Sequence, residues 1–434
     1  MNNDLFAKDF KTTPYGWDQL AASPDALSQT ELPREADVVV IGSGYTGLHA
    51  ALQTARGGRS TVVLDAEHVG WGCSTRNGGQ ISVSIKGNLA ALSKRYGAER
   101  GAAILREGHN SLAFVGDFVR REKIDCAFEV CGRFHAAHNA AQYEALARSI
   151  DNQPKGFEIP TRLVPRAEQH REIDTDAYHG GVVYENFAVL HPGQYHRGLL
   201  ARVIEAGAQV ASRCRVDAIR NDGDRTIVVT QRGNVIARDV IVATNGYTSA
   251  LTPWLKRRVI PIGSYVIATE EVPETLIDRL LPTRRMITDS RKLVVYYRAS
   301  PDRRRIVYGG RVSISETDPR VSGPRLHALL AQAFPDFAKV RISHSWMGFI
   351  AYTFDELMHV GRHEGIWYSM GYCGSGVGMA SYCGMRIGQQ VLGLPEGRTA
   401  FDGLTFETRP MYTGKPWFLA PSIMYYRMRD RLPI

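Results

Sequence analysis

Long apolar runs and paired cysteine motifs are both missing from this chain of 434 residues. No stretch reaches the roughly 18 consecutive apolar residues that a membrane-spanning helix needs. The six cysteines, at positions 73, 126, 131, 214, 373 and 383, form no CxxC pair and no zinc-ligand spacing. This cysteine usage, together with an N-terminal segment too polar and acidic for a signal peptide, predicts a reduced, cytoplasmic protein without a metal site.

Long blocks of basic charge are also missing, although 53 basic and 44 acidic residues give a net charge of +9 and a pI of about 9.2. No Lys/Arg run is longer than Arg303-Arg304-Arg305. A nucleic-acid or membrane-binding module, which we weigh as an alternative, would need a contiguous basic face. The scattered charges therefore favour a mildly basic enzyme without a nucleic-acid partner.

The C-terminal segment contains the chain's one candidate for membrane contact, an apolar run that leads into basic residues between Pro416 and Arg429. Because Pro416 and Pro421 are expected to break any amphipathic helix there, membrane contact is disfavoured. We predict instead a tail, residues 401–434, that packs on the body of the protein.

Glycine is abundant, at 42 residues, and its clearest use is in a strand–helix–strand unit near the N-terminus. A continuous apolar strand (37–41) enters GSGYTG (42–47), a helical pattern follows (48–56), and a second strand (60–64) ends at Asp65. A GxGxxG turn lets a pyrophosphate approach the positive end of the helix, and the acid can accept hydrogen bonds from a ribose. The unit predicts dinucleotide binding and leaves a nicotinamide cofactor open as an alternative to a flavin.

Three further segments favour the flavin. The loop GWGCSTRNGGQ (70–80) follows the ribose acid directly, and the strand Val240 to Ala243 runs into the turn TNGY. A strand from Trp367 to Tyr372 leads through CGSGV into a helix whose N-terminus can face the negative charge of a reduced flavin. The Gly-Asp flavin motif of aromatic hydroxylases is not found, which disfavours that class.

These segments together resemble the FAD-dependent D-amino-acid oxidase superfamily, which includes glycine and sarcosine oxidases, D-amino acid dehydrogenase and γ-glutamylputrescine oxidase. The PYGWD start, the STRNGG loop and ATNGYT look most like the γ-glutamylputrescine oxidase branch. The resemblance covers most of the chain, and its matching pieces lie at 36–52, 60–82, 239–249, 305–311, 345–361 and 371–384.

The resemblance implies an α/β fold with two interleaved domains. A Rossmann-like FAD-binding domain of the glutathione-reductase type would use residues 30–90, 190–250 and 350–400. A second, α+β substrate domain, built on a mixed or antiparallel sheet, would use residues 91–189 and 251–349.

The resemblance also implies a set of FAD-binding residues. They fall in the GxGxxG turn, the ribose acid and its neighbour, the STRNGG loop, a strand near the adenine, the ATNG turn and the glycine joint before the last long helix. The set is Gly42, Gly44, Tyr45, Thr46, Gly47, Asp65, Ala66, Ser74, Thr75, Arg76, Asn77, Gly78, Gly79, Gln80, Val216, Ala243, Thr244, Gly246, Gly374, Ser375, Gly376 and Val377.

Two departures from the family pattern concern the substrate and the flavin linkage. Glycine oxidase and D-amino acid dehydrogenase carry an arginine for the substrate carboxylate where this chain has Ile350. Isoleucine cannot pair with a carboxylate, which argues against a simple D-amino acid or glycine unless Arg298 or Arg311 serves instead. Monomeric sarcosine oxidases carry a flavin-linking cysteine at about this position, so we expect non-covalent FAD.

The resemblance implies oxidation of a small-molecule amine. Hydride would pass from the α-carbon to flavin N5, water would hydrolyse the imine to an aldehyde or ketone, and O2 or another acceptor would reoxidise the flavin. The first hypothesis is a γ-glutamylputrescine-like or other N-substituted amine as substrate. The alternative is an oxidase or dehydrogenase of D-amino acids or of secondary amino acids such as sarcosine or pipecolate.

Five residues are candidates for the catalytic and substrate-binding site: Tyr296, Tyr297, Arg298, Tyr265 and Trp346. Since Tyr296 and Tyr297 are neighbours in one predicted strand, only one of them can point into a site. Large aromatic side chains are also common in cores, so packing is the competing interpretation for each of them.

Overall fold

The structure is a computed structural model, and it describes residues 3–20 and 25–430. Its β-strands are β1 (Phe6–Lys11), β2 (Glu35–Ile41), β3 (Thr61–Leu64), β4 (Gln80–Ile81), β5 (Arg133–Ala136), β6 (Thr161–Val164), β7 (Gly181–Tyr184), β8 (Ala188–Val189), β9 (Gln209–Ala211), β10 (Val216–Asp222), β11 (Arg225–Thr230), β12 (Gly233–Val242), β13 (Ile260–Thr269), β14 (Met286–Asp289), β15 (Val295–Ala299), β16 (Ile306–Gly310), β17 (Ile342–Tyr352), β18 (His359–His363) and β19 (Ile366–Met370).

Its α-helices are α1 (Tyr45–Arg56), α2 (Cys73–Arg76), α3 (Leu89–Tyr96), α4 (Ala98–Arg121), α5 (Ala140–Asp151), α6 (Pro192–Glu205), α7 (Pro253–Lys256), α8 (Glu274–Leu280), α9 (Pro319–Ala333), α10 (Gly376–Val391) and α11 (Leu419–Arg429). The N-terminal β2–α1–β3 unit has the predicted form.

The first large sheet has eight strands and a parallel centre. Its order is β10-β11-β12-β2-β3-β9, and β19 joins β12 while β18 pairs with β19. The strands β9, β3, β2, β12 and β19 run parallel to one another. The helices α1 and α10 share a core with Val38 and Val40 on one face, and Val39 packs with Val228 on the other. These three valines have no exposed surface, as expected of a parallel sheet that is covered on both faces.

The second large sheet has nine strands in the order β1-β17-β13-β16-β15-β14-β5-β7-β6. It is mixed, because β1 with β17 and β14 with β5 are parallel pairs while the other neighbours are antiparallel. One face packs on α9, whose Leu326 and Leu330 share a core with Ile267. The opposite face meets α2, where Trp346 of β17 binds the Arg76 backbone.

The predicted fold class, a Rossmann-like α/β unit with an α+β unit on a mixed sheet, is confirmed. The division of the chain into two interleaved domains stays a prediction. Residues 126–132 form no strand, and the segment 259–312 contains the strands β13 to β16 and the helix α8, whose Ile277 and Leu280 are buried at helical spacing.

The C-terminal segment folds differently from the prediction, because α11 contains Pro421. Pro421 lies in the first turn, where a backbone N–H has no acceptor within the helix, so proline costs little there. Phe401, Phe406 and Tyr412 are buried, whereas residues 431–434 lie outside the described residues. No helix within the described ranges is both long and apolar enough to cross a membrane. The cytoplasmic location stays a prediction.

Candidate functional site

The carboxyl ends of four parallel strands meet at one edge of the first sheet. β2 ends before Gly42, β3 before Asp65, β12 before Ala243 and β19 before Gly371. In the sheet register Ile41 pairs with both Leu64 and Val242, so these exits are neighbours. In the sheet, β3 lies on one side of β2 and β12 lies on the other, so the chain winds in opposite directions from β2. Such a switch point is where open α/β sheets bind ligands.

The N-terminus of α1 projects from this edge. Its first residue, Tyr45, donates its N–H to Ser74 Oγ at 2.9 Å, and no side chain among the described residues caps the helix in the usual way. The neighbouring Thr46 is held by a 2.7 Å hydrogen bond between its hydroxyl and that of Tyr372. The helix end and Ser74 therefore converge on one point, as a pyrophosphate site between Gly44 and Ser74 would require.

Asp65 is fixed beside the glycine turn. Its Oδ2 accepts hydrogen bonds from the Ser43 N–H at 2.8 Å and the Ser43 hydroxyl at 2.5 Å, and its Oδ1 accepts from the Glu67 N–H at 2.9 Å. The residue is half-buried, Ala66 beside it is exposed, and Oδ1, which accepts one bond, can accept a second. Val216 begins β10 and packs in the core that includes Leu64. The group fits a ribose and an adenine at this edge.

The helix α2 carries Ser74, Thr75 and Arg76 across to the second sheet. Trp346 Nε1 donates to the Arg76 carbonyl at 2.9 Å, and Trp17 Nε1 donates to Thr75 Oγ1 at 2.8 Å. The Arg76 guanidinium lies between the rings of Trp17 and Trp71, 4.8 and 4.7 Å from their centroids. Burial lowers the pKa of Arg76, but an arginine remains charged at neutral pH.

Hydrogen bonds within this loop fix the conformation of its remaining residues. Asn77 Nδ2 donates to the Cys73 and Ser74 carbonyls, and Asn77 Oδ1 accepts from the Gly79 N–H at 2.8 Å. Gln80, at the start of β4, has a buried Nε2 without a hydrogen-bond partner among the described residues. A buried amide N–H without a hydrogen-bond partner is rare in native proteins, and an acceptor atom of a bound ligand would supply the partner. The loop therefore fits a polar cofactor edge.

The remaining predicted cofactor residues border the same edge. Ala243 and Gly246 are buried, Thr244 bonds Thr248, and Asn245 Oδ1 accepts from the Gly371 N–H at 3.0 Å. At the N-terminus of α10, Gly374 is exposed, Gly376 faces open space, and the Ser375 hydroxyl donates to the Ser84 carbonyl at 2.7 Å; Val377 is buried. Two helix N-termini and an unpaired amide thus surround one region, which fits FAD.

The substrate-site candidates divide between the two faces of the second sheet. The ring of Tyr296 lies against Gly78, where an added Cβ would be 3.2 Å from Cε2, and its hydroxyl bonds Ser264 Oγ at 3.0 Å. Arg298, two residues along the same strand, and Trp346 line a cleft with Gly78. These three predicted residues share the face that meets α2.

Tyr265 and Tyr297 lie on the opposite face, and this placement corrects their prediction as site residues. Side chains alternate along a strand, so Tyr297 points away from the cleft if Tyr296 points toward it. Tyr297 is buried in the core under α9 and bonds the Tyr178 hydroxyl at 3.2 Å. Tyr265 lies in the same core and donates to Glu316 at 2.9 Å. Packing is therefore the correct interpretation for both.

Among the cleft residues that were given no role from the sequence are two with titratable side chains, Tyr15 and His191. Burial raises the pKa of Tyr15 to about 12, and burial with the nearby charge of Arg298 lowers the pKa of His191 to about 4. The Gln194 N–H donates to His191 Nδ1, so Nε2 carries the proton toward Gln19. The aromatic PYGWD segment and the histidine before a Pro-Gly helix start were the signals for them.

Comparison with known proteins identifies the family. The family model described as FAD dependent oxidoreductase (DAO) matches residues 37–390. The chain belongs to this family. Among curated relatives, the gamma-glutamylputrescine oxidoreductase of Escherichia coli K12 is 31% identical over 401 residues, which cover 92% of this chain and 93% of that protein. The probable oxidoreductase OrdL of Haemophilus influenzae is 29% identical and covers 93% of this chain and 94% of its own.

Solved structures show the same DAO fold. The glycine oxidase of Geobacillus kaustophilus superposes with a TM-score of 0.74 at 16% identity, covering 87% of this chain and 99% of that one. The L-proline dehydrogenase of P. horikoshii superposes with a TM-score of 0.68 at 17% identity, covering 90% and 99%. The protein is thus an FAD-dependent oxidoreductase that acts on amines or amino acids, close to the γ-glutamylputrescine branch.

Proposed function

We propose that this DAO enzyme oxidises the C–N bond of an amine, of the γ-glutamylputrescine type or otherwise N-substituted, rather than a simple α-amino acid. The observation that supports the proposal is Ile350. It lies on β17, two residues after Gly348 and four after Trp346. Because side chains alternate along a strand, these three positions lie on the same face of the sheet. An apolar residue at this position cannot pair with the α-carboxylate of a glycine or a D-amino acid.

The most obvious substitute for the missing arginine is already occupied. Arg311 Nη1 bonds both Glu316 oxygens at 2.9 Å and donates to the Gly263 carbonyl at 2.6 Å. Its guanidinium lies over the ring of Tyr265, on the far face of the sheet. Arg311 therefore has a structural role, and its charge is already paired with Glu316, so it does not replace the missing arginine.

The protein residues of the site orient the substrate and exclude water. When bound, FAD supplies the two-electron acceptor for the α-hydrogen. Trp346 gives the cleft an apolar wall, and neutral Tyr15 and His191 add polar edges. The ring of Tyr296 lies beside the cleft, against Gly78. A substrate nitrogen without a proton is needed for the reaction, and the described lining residues include no acidic side chain that would stabilise the protonated amine.

The test is anaerobic bleaching of the flavin's visible absorption in the purified holoenzyme. The panel contains γ-glutamylputrescine, putrescine, sarcosine, pipecolate and D-alanine. We expect rapid bleaching by an amine without an α-carboxylate next to the reacting carbon. Bleaching by α-amino acids alone would contradict the proposal and favour the amino-acid alternative, and a purified protein without flavin would contradict the cofactor.

Two further features of the proposed reaction have direct tests. FAD that is bound non-covalently should separate from the protein on acid precipitation and appear in the supernatant. Reduced holoenzyme mixed with air or with an artificial acceptor such as phenazine methosulfate should show which one reoxidises the flavin within a turnover. Fast reoxidation in air would make the protein an oxidase, and slow reoxidation in air would make it a dehydrogenase.

A further inference from the structure

Arg298 is a buried cation without a counter-charge. Its relative exposure is 9%, and its Nη1 atom has no hydrogen-bond partner in the part of the chain that the structure describes. No carboxylate among the described residues lies within ion-pair distance of it. An arginine stays charged at any physiological pH, and a charge that is buried without a partner is strongly unfavourable.

Other buried arginines of the protein show what a structural role looks like. Arg76 is stacked between two tryptophan rings and bonds two backbone carbonyls, and Arg133 lies over the rings of Tyr184 and Phe187. Arg303 pairs with Asp278 and donates to the Leu281 carbonyl. Arg298 has no ring contact, ion pair or hydrogen bond of this kind within residues 3–20 and 25–430, so the fold itself does not explain why its charge is buried.

The charge of Arg298 lies in the cleft between the second sheet and the loop 75–78. The described residues that line the cleft include Thr75, Asn77, Gly78 and Trp346, and none of them has an acidic side chain. The acid whose charge acts on Arg298 is Glu129, which is half-exposed and has Arg284 as its own partner at 3.9 Å. The neighbouring Tyr15, Cys131 and His191 are neutral, since burial raises the pKa of Tyr15 and Cys131 and lowers that of His191. Asp302, whose charge acts on Tyr15, is not a lining residue, so Arg298 is the charged side chain among the described residues that line the cleft.

We infer that Arg298 binds a carboxylate of the substrate, and this inference rests on the proposed amine oxidation. Its guanidinium offers several N–H donors in a plane that matches two carboxylate oxygens. The phosphates of the cofactor are not the partner, because Gly42, Gly44 and Tyr45 do not line this cleft. In a γ-glutamyl amine the carboxylate stands at the end remote from the reacting amine.

The position of Arg298 in the sheet differs from that of Ile350, which lies on another strand. Arg298 is on β15 and Ile350 is on β17, with β16 and β13 between them in the sheet. Neighbouring strands are about 4.8 Å apart, so the two positions are separated by roughly 14 Å across the sheet. The register places Arg298 level with His344, so Ile350 also lies roughly 20 Å farther along β17. A carboxylate on Arg298 and one at Ile350 would therefore place the rest of the substrate differently. The arrangement selects a long substrate whose anionic group is distant from its reacting amine.

The first test measures binding without turnover. Isothermal titration calorimetry on the holoenzyme compares glutarate, which carries carboxylates and no oxidisable amine, with the neutral glutaramide. We expect glutarate to bind more tightly than glutaramide. Arg298→Gln should weaken glutarate by about 10- to 100-fold, as loss of a charge-assisted pair does, and Arg298→Lys should recover part of it. The control Arg304→Gln removes an exposed arginine paired with Glu271 and should change nothing.

The second test compares two substrates that differ by the glutamyl group. With γ-glutamylputrescine, Arg298→Gln should raise KM by about 10- to 100-fold at nearly unchanged kcat, whereas KM for putrescine should stay the same. The inference would be overturned by any of three results: equal losses for both substrates, loss of bound flavin, or a glutarate affinity that is the same in the wild type and both variants. If neither substrate bleaches the flavin while glutarate binding still depends on Arg298, the proposed function fails and the carboxylate site stands. If Arg298→Gln does not fold, Arg298→Lys decides the question, because a glutarate affinity equal to that of the wild type would overturn the inference.

Discussion

The carbonyl oxygen of Gly42 lies where a side chain on Gly47 would begin. A Cβ built on Gly47 would be 1.9 Å from that oxygen, and Gly42 itself has a φ of +105° that a side chain would strain. The two glycines let α1 start directly against the end of β2. This contact sets the distance between the helix N-terminus and the turn, and so the geometry of the proposed pyrophosphate site.

Replacing Gly47 should therefore damage both stability and cofactor binding. In Gly47→Ala the new methyl group can be accommodated only if α1 moves away from β2, which we expect to cost about 1–3 kcal/mol of unfolding free energy. Denaturant unfolding and the ratio of bound flavin to protein measure the two effects. Gly72→Ala is a control, because its Cβ would meet the Tyr247 ring at an ordinary 3.5 Å. Equal stability of the two variants would contradict the packing argument.

The adjacent residues Tyr296 and Tyr297 allow a matched pair of substitutions. Tyr296→Phe removes the hydroxyl that holds Ser264 beside the cleft, so we expect kcat/KM to fall by about 2- to 10-fold with little change in stability. Tyr297→Phe removes the bond to Tyr178 in the core, so we expect a loss of about 1 kcal/mol in stability with normal kinetics. Steady-state kinetics and thermal unfolding of both variants check this. The reverse pattern would place Tyr297 at the site instead.

Buried histidines should make the protein sensitive to acid. Burial lowers the pKa of His49 to about 3 and those of His191 and His196 to about 4. The unfolded chain has histidine pKa values near 6.5, so below that pH the unfolded state binds more protons and stability falls as pH falls. Each histidine should account for about 1 kcal/mol of loss between pH 6.5 and 5.5. Denaturant unfolding across this pH range measures the slope.

His49→Leu is the variant that tests this explanation. His49 has no exposed surface, its Nδ1 has no partner among the described residues, and Tyr195, its neighbour at 2.9 Å, also bonds Ser381. Leucine removes the titrating group and leaves Tyr195 its other bond. The variant should lose less stability than the wild type on going from pH 7.5 to 5.5. An unchanged slope would mean that other groups cause the acid sensitivity.

Glu107 of α4 connects this helix to α10 and to the segment at Ala400, and we expect it to stabilise the protein. The Tyr382 hydroxyl donates to its Oε2 at 2.6 Å, and the Ala400 N–H donates to its Oε1 at 2.8 Å. Glu107→Ala should lower the unfolding free energy by about 3 kcal/mol, because it leaves the buried Tyr382 hydroxyl and the half-buried Ala400 N–H without this acceptor. Glu107→Gln keeps one acceptor oxygen and should cost less. Chemical denaturation ranks the two variants, and equal losses would show that the hydrogen bonds are unimportant.

Much of the cofactor side follows from local patterns along the chain. The apolar run before Gly42, the helix after it and the acid at Asp65 are neighbours in sequence and form one local unit. The same is true of the strand and helix that flank Gly374. Turn geometry, helix starts and strand ends depend on adjacent residues, so the sequence alone predicts where these joints lie. Their grouping at one sheet edge follows from the parallel register.

The substrate side depended on tertiary structure. Sequence reasoning recognised that one of Tyr296 and Tyr297 must face away, but strand alternation alone does not say which face another layer covers. The helix α9 covers the face with Tyr297 and Tyr265, and the loop 73–80 covers the other. Pro421 shows the same limit, because its effect depended on whether α11 began before it or after it.

The sequence by itself determined the cofactor class, the family and the absence of an arginine at position 350, since these are properties of residue identity and local spacing. The tertiary structure decided which side chains share the cleft and which charges remain unpaired. Arg298 lies between other arginine-bearing segments in the sequence, and nothing local distinguishes it from Arg311. Distant residues provide or withhold counter-charges, as Glu316 does for Arg311, so the fold alone leaves Arg298 without a partner among the described residues.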